Sequence, residues 1–287
     1  MCNIKRKLFV LILFIVCICC AVRFLGNKNS NTAGQKVVLL IDGSEKTNCT
    51  EIILEDCRDD YVDYCKDTET IVYINTENQI VEINISGEKN AIIIEGIDLS
   101  EKISNVQYGL SPEEINFIYN DEIYQYSLMD KWLTKKTDGI ESSWRKTYLW
   151  TDEECVYKIM DDDALHYIDT NNGSIKEVCG RWIRSIGQIQ GNKMYALDLY
   201  VKSHNEAALN FTDRIIEIDL SDGSMKPIQE LGNWMEGNYM FACNEGNLYY
   251  VKKKGEKRNI YRMDLSTGKK KKIYSTRNTV VGFAWTT

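Results

Sequence analysis

The two histidines, His166 and His204, are the only imidazoles in the chain. His166 stands beside Tyr167 in an alternating segment and His204 falls in a long connection. Neither has a serine, cysteine or metal-ligand partner in its surroundings, so both read as structural or solvated side chains rather than general bases. The nucleophile-elbow, zinc-protease and phosphate-loop motifs do not occur. Of ten cysteines, four lie in the amino-terminal apolar segment (Cys2, Cys17, Cys19, Cys20) and six beyond it. The single C-x-x-C spacing, Cys17 to Cys20, sits inside that apolar segment, which leaves a zinc ribbon or a redox pair in the body unsupported. Cys49, Cys57, Cys65, Cys155, Cys179 and Cys243 read as small buried hydrophobes. A disulfide drawn from Cys49, Cys57 and Cys65 is the alternative if the body is exported. Asp161-Asp162-Asp163 gathers three carboxylates, but calcium loops need alternate acidic positions ending in glycine. That triplet therefore reads as a solvated turn open to the polar groups of a ligand, and no metal or cofactor is expected.

The elements that carry these residues are legible from a repeat. Residues 260–268 read Ile-Tyr-Arg-Met-Asp-Leu-Ser-Thr-Gly, residues 215–223 Ile-Ile-Glu-Ile-Asp-Leu-Ser-Asp-Gly, and residues 165–173 Leu-His-Tyr-Ile-Asp-Thr-Asn-Asn-Gly. Weaker copies run from Ile123 to Lys131 and from Ile80 to Gly87. The aligned column is Asn84, Ser127, Asp169, Asp219 and Asp264, with separations of 43, 42, 50 and 45 residues. Each copy is an alternating, half-buried strand that ends where an Asp side chain bonds the turn backbone and a Gly takes positive φ. One strand follows each turn, another precedes the repeat (Asn247–Val251, Lys193–Leu197, Cys155–Ile159), and a fourth lies ahead of that. Four short antiparallel strands recurring every ~40–50 residues are a propeller blade.

Five such units leave Lys36–Ile41 and Glu51–Leu54 near one end and Val280–Trp285 at the other. Because an open ring exposes sheet edges, these strands are expected to form a composite sixth blade with Val280–Trp285 innermost. The fold class is all-β: a propeller of six blades, each of four antiparallel strands, preceded by one transmembrane helix. A five-bladed ring with a loose lid, or a sandwich, would also fit the strand pattern. Gly246-Asn247-Leu248-Tyr249-Tyr250 together with residues 260–268 resembles the repeat of bacterial TolB-like and low-density-lipoprotein-receptor-type six-bladed propellers, over most of residues 57–287. Tyr148-Leu149-Trp150-Thr151-Asp152 looks like the receptor-type Tyr-Trp-Thr-Asp signature with an inserted leucine. The resemblance implies a scaffold used for extracytoplasmic binding and carries over no catalytic residue.

With the strands of a blade lettered A to D, alternation puts the A–B and C–D turns on one face and the B–C and D–A connections on the other. The C–D turns are the uniform Asp–Gly turns. Irregularity collects on the opposite face: Asp161–Asp163 in blade three, the long connection around Lys202 to Asp213 in blade four, and Lys252-Lys253-Lys254-Gly255 in blade five. The D–A connections bring Trp144, Trp182 and Trp234 to comparable positions in successive blades. Variable loops on a rigid scaffold are where binding usually resides. Trp144, Trp182, Trp234, Asp161, Asp162 and Asp163 are therefore the candidate ligand-binding residues, although rings of that size also wedge blades together.

Location follows from the amino-terminal segment. Lys5-Arg6-Lys7 precedes an apolar run from Leu8 to Val22, which orients the amino terminus to the cytoplasm. Residues 1–26 read as an anchor or signal segment, 27–35 as a short linker and 36–287 as the propeller. Residues 1–26 hold four basic side chains and no acid, leaving 31 basic and 42 acidic side chains for the rest. A body that acidic is a poor non-specific partner for nucleic acid or an anionic surface. The expectation is a single-pass, membrane-tethered, extracytoplasmic module that binds a cell-surface glycan, peptide or envelope protein without catalysis. Two alternatives are kept. One is a propeller glycosidase or lyase with paired carboxylates in the central funnel. The other is a sensory or structural subunit of an envelope complex.

Overall fold

The computed structural model describes residues 35–287 except 43–47, 59–61, 96, 121, 138–147, 153–154, 161–162, 170–171, 181, 206–207, 234–239 and 287. The apolar amino-terminal run, Trp144, Trp234, Asp161 and Asp162 lie outside the described residues. Five four-stranded sheets follow one another along the chain, at residues 63–92, 103–137, 148–179, 183–233 and 241–276. In each, consecutive strands pair antiparallel, as the repeat requires. The first strands of neighbouring blades approach one another and form the inner wall of the ring.

The sixth sheet is composite. Thr279–Thr286 is its inner strand, Lys36–Asp42 lies beside it and Cys49–Leu54 beyond. Two features differ from the regular blades. The described strands number three rather than four, and Lys36–Asp42 runs parallel to Thr279–Thr286, from Lys36 opposite Thr279 to Asp42 opposite Thr286. A parallel ladder is available because Val37, Val38, Leu39 and Ile41 are fully buried, so the strand is apolar on both faces as parallel strands are. One consequence is topological. Inner strands start on the D–A face, so Lys36 starts on that face too.

Apolar clusters fill the seams between blades. Ile71 and Tyr73 meet Val38 and Val281 between blades one and six, Ile74 and Ile80 meet Phe117 and Tyr126 between one and two, and Leu165 meets Met194 and Ile216 between three and four. Leu197 and Ile215 face Leu248 and Tyr250 between four and five, while Tyr249 and Ile260 meet Leu39 and Trp285 between five and six. Among the described residues, the seam between blades two and three has a small apolar cluster. Its described apolar core is Ile118, Ile123, Val156 and Ile168, and the amides Gln107, Asn116 and Gln125 stand in register beside it.

The Asp–Gly turns behave as their chemistry dictates. Asp264 Oδ1 accepts from the Ser266 amide (2.9 Å), the Ser266 hydroxyl (2.6 Å) and the Thr267 amide (2.9 Å), while Gly268 N–H donates to the Asp264 carbonyl at 2.8 Å. Asp219 repeats the pattern with Ser221. At Gly223 the backbone takes φ +73, and a Cβ there would lie 1.9 Å from the Val178 carbonyl oxygen, so only glycine fits. The Ser266 hydroxyl bond, then the Thr267 amide, hold the Asp264 carboxyl down at about 2. That is below the unfolded value of about 4. The turn's contribution to stability is thus present above the unfolded pKa and lost as pH falls through the folded one. A carboxyl-detected NMR titration is expected to place Asp264 near 2, and Ser266→Ala to move it back toward the ordinary range. An unshifted Asp264 would contradict the turn chemistry.

No disulfide joins any two of the six cysteines in the body. Cys57, Cys155, Cys179 and Cys243 are buried, which agrees with their reading as small hydrophobes. Burial pushes the Cys179 thiol up to about 11 and the Cys243 thiol up to about 12, so neither is a ready nucleophile.

Candidate functional site

The long connection expected in blade four is not an irregular loop. The second and third strands, Lys193–Asn205 and Ala208–Asp219, stay paired out to Asn205 opposite Ala208. The first strand pairs only as far as Asp198, and the fourth reaches only Thr212. Beyond those points the hairpin continues as a two-stranded arm on the B–C face. The two-residue period explains its build: Leu197, Leu199 and Asp213 point to the blade-five side, Asp198 and Arg214 to the blade-three side.

Each side of the arm's base is braced. On one, the Trp182 ring packs edge-on against Phe211 at 6.0 Å, and Leu199 N–H donates to the Trp182 carbonyl at 2.8 Å. On the other, Arg214 grips Asp198 with two nitrogens, Nε at 2.8 Å from Oδ1 and Nη2 at 2.7 Å from Oδ2. The same guanidinium lies 4.2 Å from the centroid of Tyr200, a cation–π contact that fixes the ring. Burial raises the Asp198 pKa, and the Arg214 hydrogen bonds and charge oppose the rise. A second acid, Asp213, is fully buried with Arg184 Nη1 at 3.8 Å.

Trp182 remains 41% exposed despite its contact, and Tyr200 37%. Trp182 also sits at φ +72, a left-handed conformation that bulky residues rarely adopt. Such strain persists only where surrounding structure enforces it, here the bonds from Leu199 to the Trp182 carbonyl and from Ile183 N–H to the Asp163 carbonyl (2.8 Å). That second bond ties the candidate Asp163 to Ile183, the neighbour of Trp182: exposed Asp163, at φ +59 in the blade-three turn, lies beside the start of blade four. Trp182 and Asp163 are thus brought together.

Sequence reasoning missed Tyr200, Phe211, Asp198 and Arg214. The signal was present in the 50-residue spacing between Asp169 and Asp219 and in the alternation that runs on through both halves of the connection. It also missed Trp132, the most exposed described tryptophan at 71%, which sits with Met129 in the C–D turn of blade two on the opposite face. Among the described side chains, the innermost strands carry one carboxylate, Asp63. Asp63 Oδ2 accepts the Tyr108 amide at 3.0 Å, so it serves the junction of blades one and two.

Five four-stranded antiparallel sheets in succession, with a sixth that joins the two ends of the body, define a six-bladed β-propeller. Solved structures share this fold. TolB from Acinetobacter baumannii matches with TM-score 0.54 at 14% identity, over 84% of this chain and 63% of that one. A putative TolB from Agrobacterium tumefaciens matches at TM-score 0.58 and 10% identity, over 87% of this chain and 92% of that one. The propeller in the nidogen/laminin complex matches at TM-score 0.53 and 13% identity, over 80% and 83%. The chain thus spans less than two thirds of the Acinetobacter protein. No family model matches the sequence, and no curated protein is similar to it.

Proposed function

We propose that the chain is a membrane-tethered, extracytoplasmic propeller that binds a protein, peptide or glycan of the cell surface through its D–A and B–C face. The observation that carries this reading is Trp182, an exposed aromatic held in a strained backbone beside a braced arm. Rigid aromatic anchors of this type dominate binding energy at interfaces. The fold shared with TolB and with nidogen, the latter solved in complex with laminin, supports a binding role. Trp144, Trp234, Asp161 and Asp162 belong to the proposed surface by their place in the repeat.

The test is a tryptophan-fluorescence titration of the full chain in detergent micelles with soluble cell-wall glycan fragments and envelope-protein peptides. A saturable response is expected. Trp182→Ala should weaken it about 30-fold or more, as loss of an aromatic anchor does, with an unchanged urea midpoint. Trp132→Ala should leave the affinity in place, and Trp144→Ala and Trp234→Ala run beside them. A Trp182→Ala protein that binds normally, or is merely less stable, would return Trp182 to a packing role.

A further inference from the structure

The B–C hairpin of blade five is basic in a chain that is acidic overall, whereas blade six carries Glu55 and Asp56 on the same face. The B–C hairpin of blade five places Lys252, Lys253, Lys254, Lys257 and Arg258 within seven residues, with Glu256 the one acid among them. Lys253, Lys254 and Lys257 are exposed. Arg258 Nη1 donates to the Arg277 carbonyl at 3.0 Å, which joins the hairpin to the exposed Arg277 in the neighbouring D–A corner. One strand further on, the parallel register of Lys36 with Thr279 starts the first body strand on this same face. An antiparallel strand there would have started on the other. The residues preceding Lys36 carry the apolar run and join the body on this same face, in the blade next to the basic hairpin.

We propose that this basic hairpin docks on the phosphate-bearing headgroups of the membrane, so that the D–A and B–C face turns toward the bilayer and the face bearing Trp132 turns away. The proposal rests on the tethered reading above and deepens it, because a ligand of the Trp182 surface must then be membrane-proximal. Two independent facts meet in it. Charge complementarity selects an anionic surface, and the point where the preceding chain joins the body selects the membrane as its source. Each cation near an anionic bilayer shifts occupancy about fivefold, and exposed charges act over a screening length of about 8 Å at physiological salt. Docking should therefore be graded with charge number and sensitive to salt.

The experiment uses the full chain reconstituted in vesicles of phosphatidylcholine alone or mixed with phosphatidylglycerol. A fluorescent amino acid is placed at Glu256, in the hairpin, or at Thr267, in the C–D turn of the same blade, and energy transfer to a headgroup dye is measured. Position 256 is expected to transfer more than position 267, with the difference growing with phosphatidylglycerol and shrinking at high salt. The combined Lys253→Glu, Lys254→Glu and Lys257→Glu variant should lose the lipid-charge dependence, with circular dichroism confirming the fold. Equal transfer at the two positions, or more at 267, in protein that stays with the vesicles through an alkaline wash would overturn the docking proposal alone. Protein released by that wash would overturn the tether itself, and the docking proposal with it.

Discussion

Replacing Trp285 by alanine is expected to lower the unfolding free energy by about 3–5 kcal/mol, the range for deleting a large buried aromatic. Trp285 is 7% exposed and touches three blades. It stands opposite Ile41 within the closing sheet, packs 6.1 Å from the Tyr249 ring of blade five and lies 6.2 Å from the Tyr64 ring of blade one. Tyr64 Oη also donates to the Trp285 carbonyl at 2.7 Å. The closing sheet joins residues 36–54 to 279–286, so a cavity there weakens the contact that makes the ring continuous. Urea denaturation followed by far-UV circular dichroism measures the loss without relying on the deleted fluorophore. The indole N–H meets no hydrogen-bond partner, so Trp285→Phe, which keeps a ring in the seam and strands no polar partner, should cost less than the alanine change. An alanine variant as stable as the parent would mean that closure does not depend on this contact.

The second large effect is expected at the arm. Arg214→Ala leaves the Asp198 carboxylate, 7% exposed, without its bidentate partner. Breaking a buried pair from one side costs about 3–5 kcal/mol, whereas replacing both members with apolar residues of similar size is often nearly neutral. Arg214→Ala should therefore be far more destabilising than Asp198→Leu combined with Arg214→Met. The pH dependence carries a sign. Burial already raises the folded Asp198 pKa above its unfolded value, and removing Arg214 raises it further. Such a group favours the fold below the unfolded carboxylate range of about 4 and loses that contribution as pH rises through the folded pKa. The Arg214→Ala defect should thus be greatest at neutral pH and shrink toward pH 4, as parallel urea titrations would show. A defect independent of pH would point to lost packing on Tyr200 rather than to the stranded carboxylate.

Much of this fold was legible in the sequence because its punctuation is chemical. Asp264, Asp219 and Asp169 each accept hydrogen bonds in their own turns, and Gly268, Gly223 and Gly173 take the positive φ that follows, so the blade period appears as a column of residue types. The composite closure followed from leftover strands and the need to hide edges. The direction of the first strand was not legible. Val37 to Leu40 is apolar on both faces and offers no alternation from which a register could be read. The arm was hidden for a different reason: an added length reads as a loop unless its alternation is followed outward, and Asp198 and Arg214 look like surface charges until the pairing sets them opposite each other. The exposure of Trp182 depends on a backbone angle that residue type alone would never suggest. The lysine run Lys252–Lys254 was legible on the D–A and B–C face, but its junction with the Arg277 corner was not, because that contact depends on strand pairing that sequence distance hides.

The most direct measurement is site-specific photocrosslinking of the full chain in its native membrane, with a photoreactive amino acid at Trp182, Tyr200 or Trp132. The expected result is a discrete, saturable adduct from positions 182 and 200 and none from 132. Adducts formed at 132 alone would contradict the assignment of ligand binding to the D–A and B–C face and move it to the face of the Asp–Gly turns.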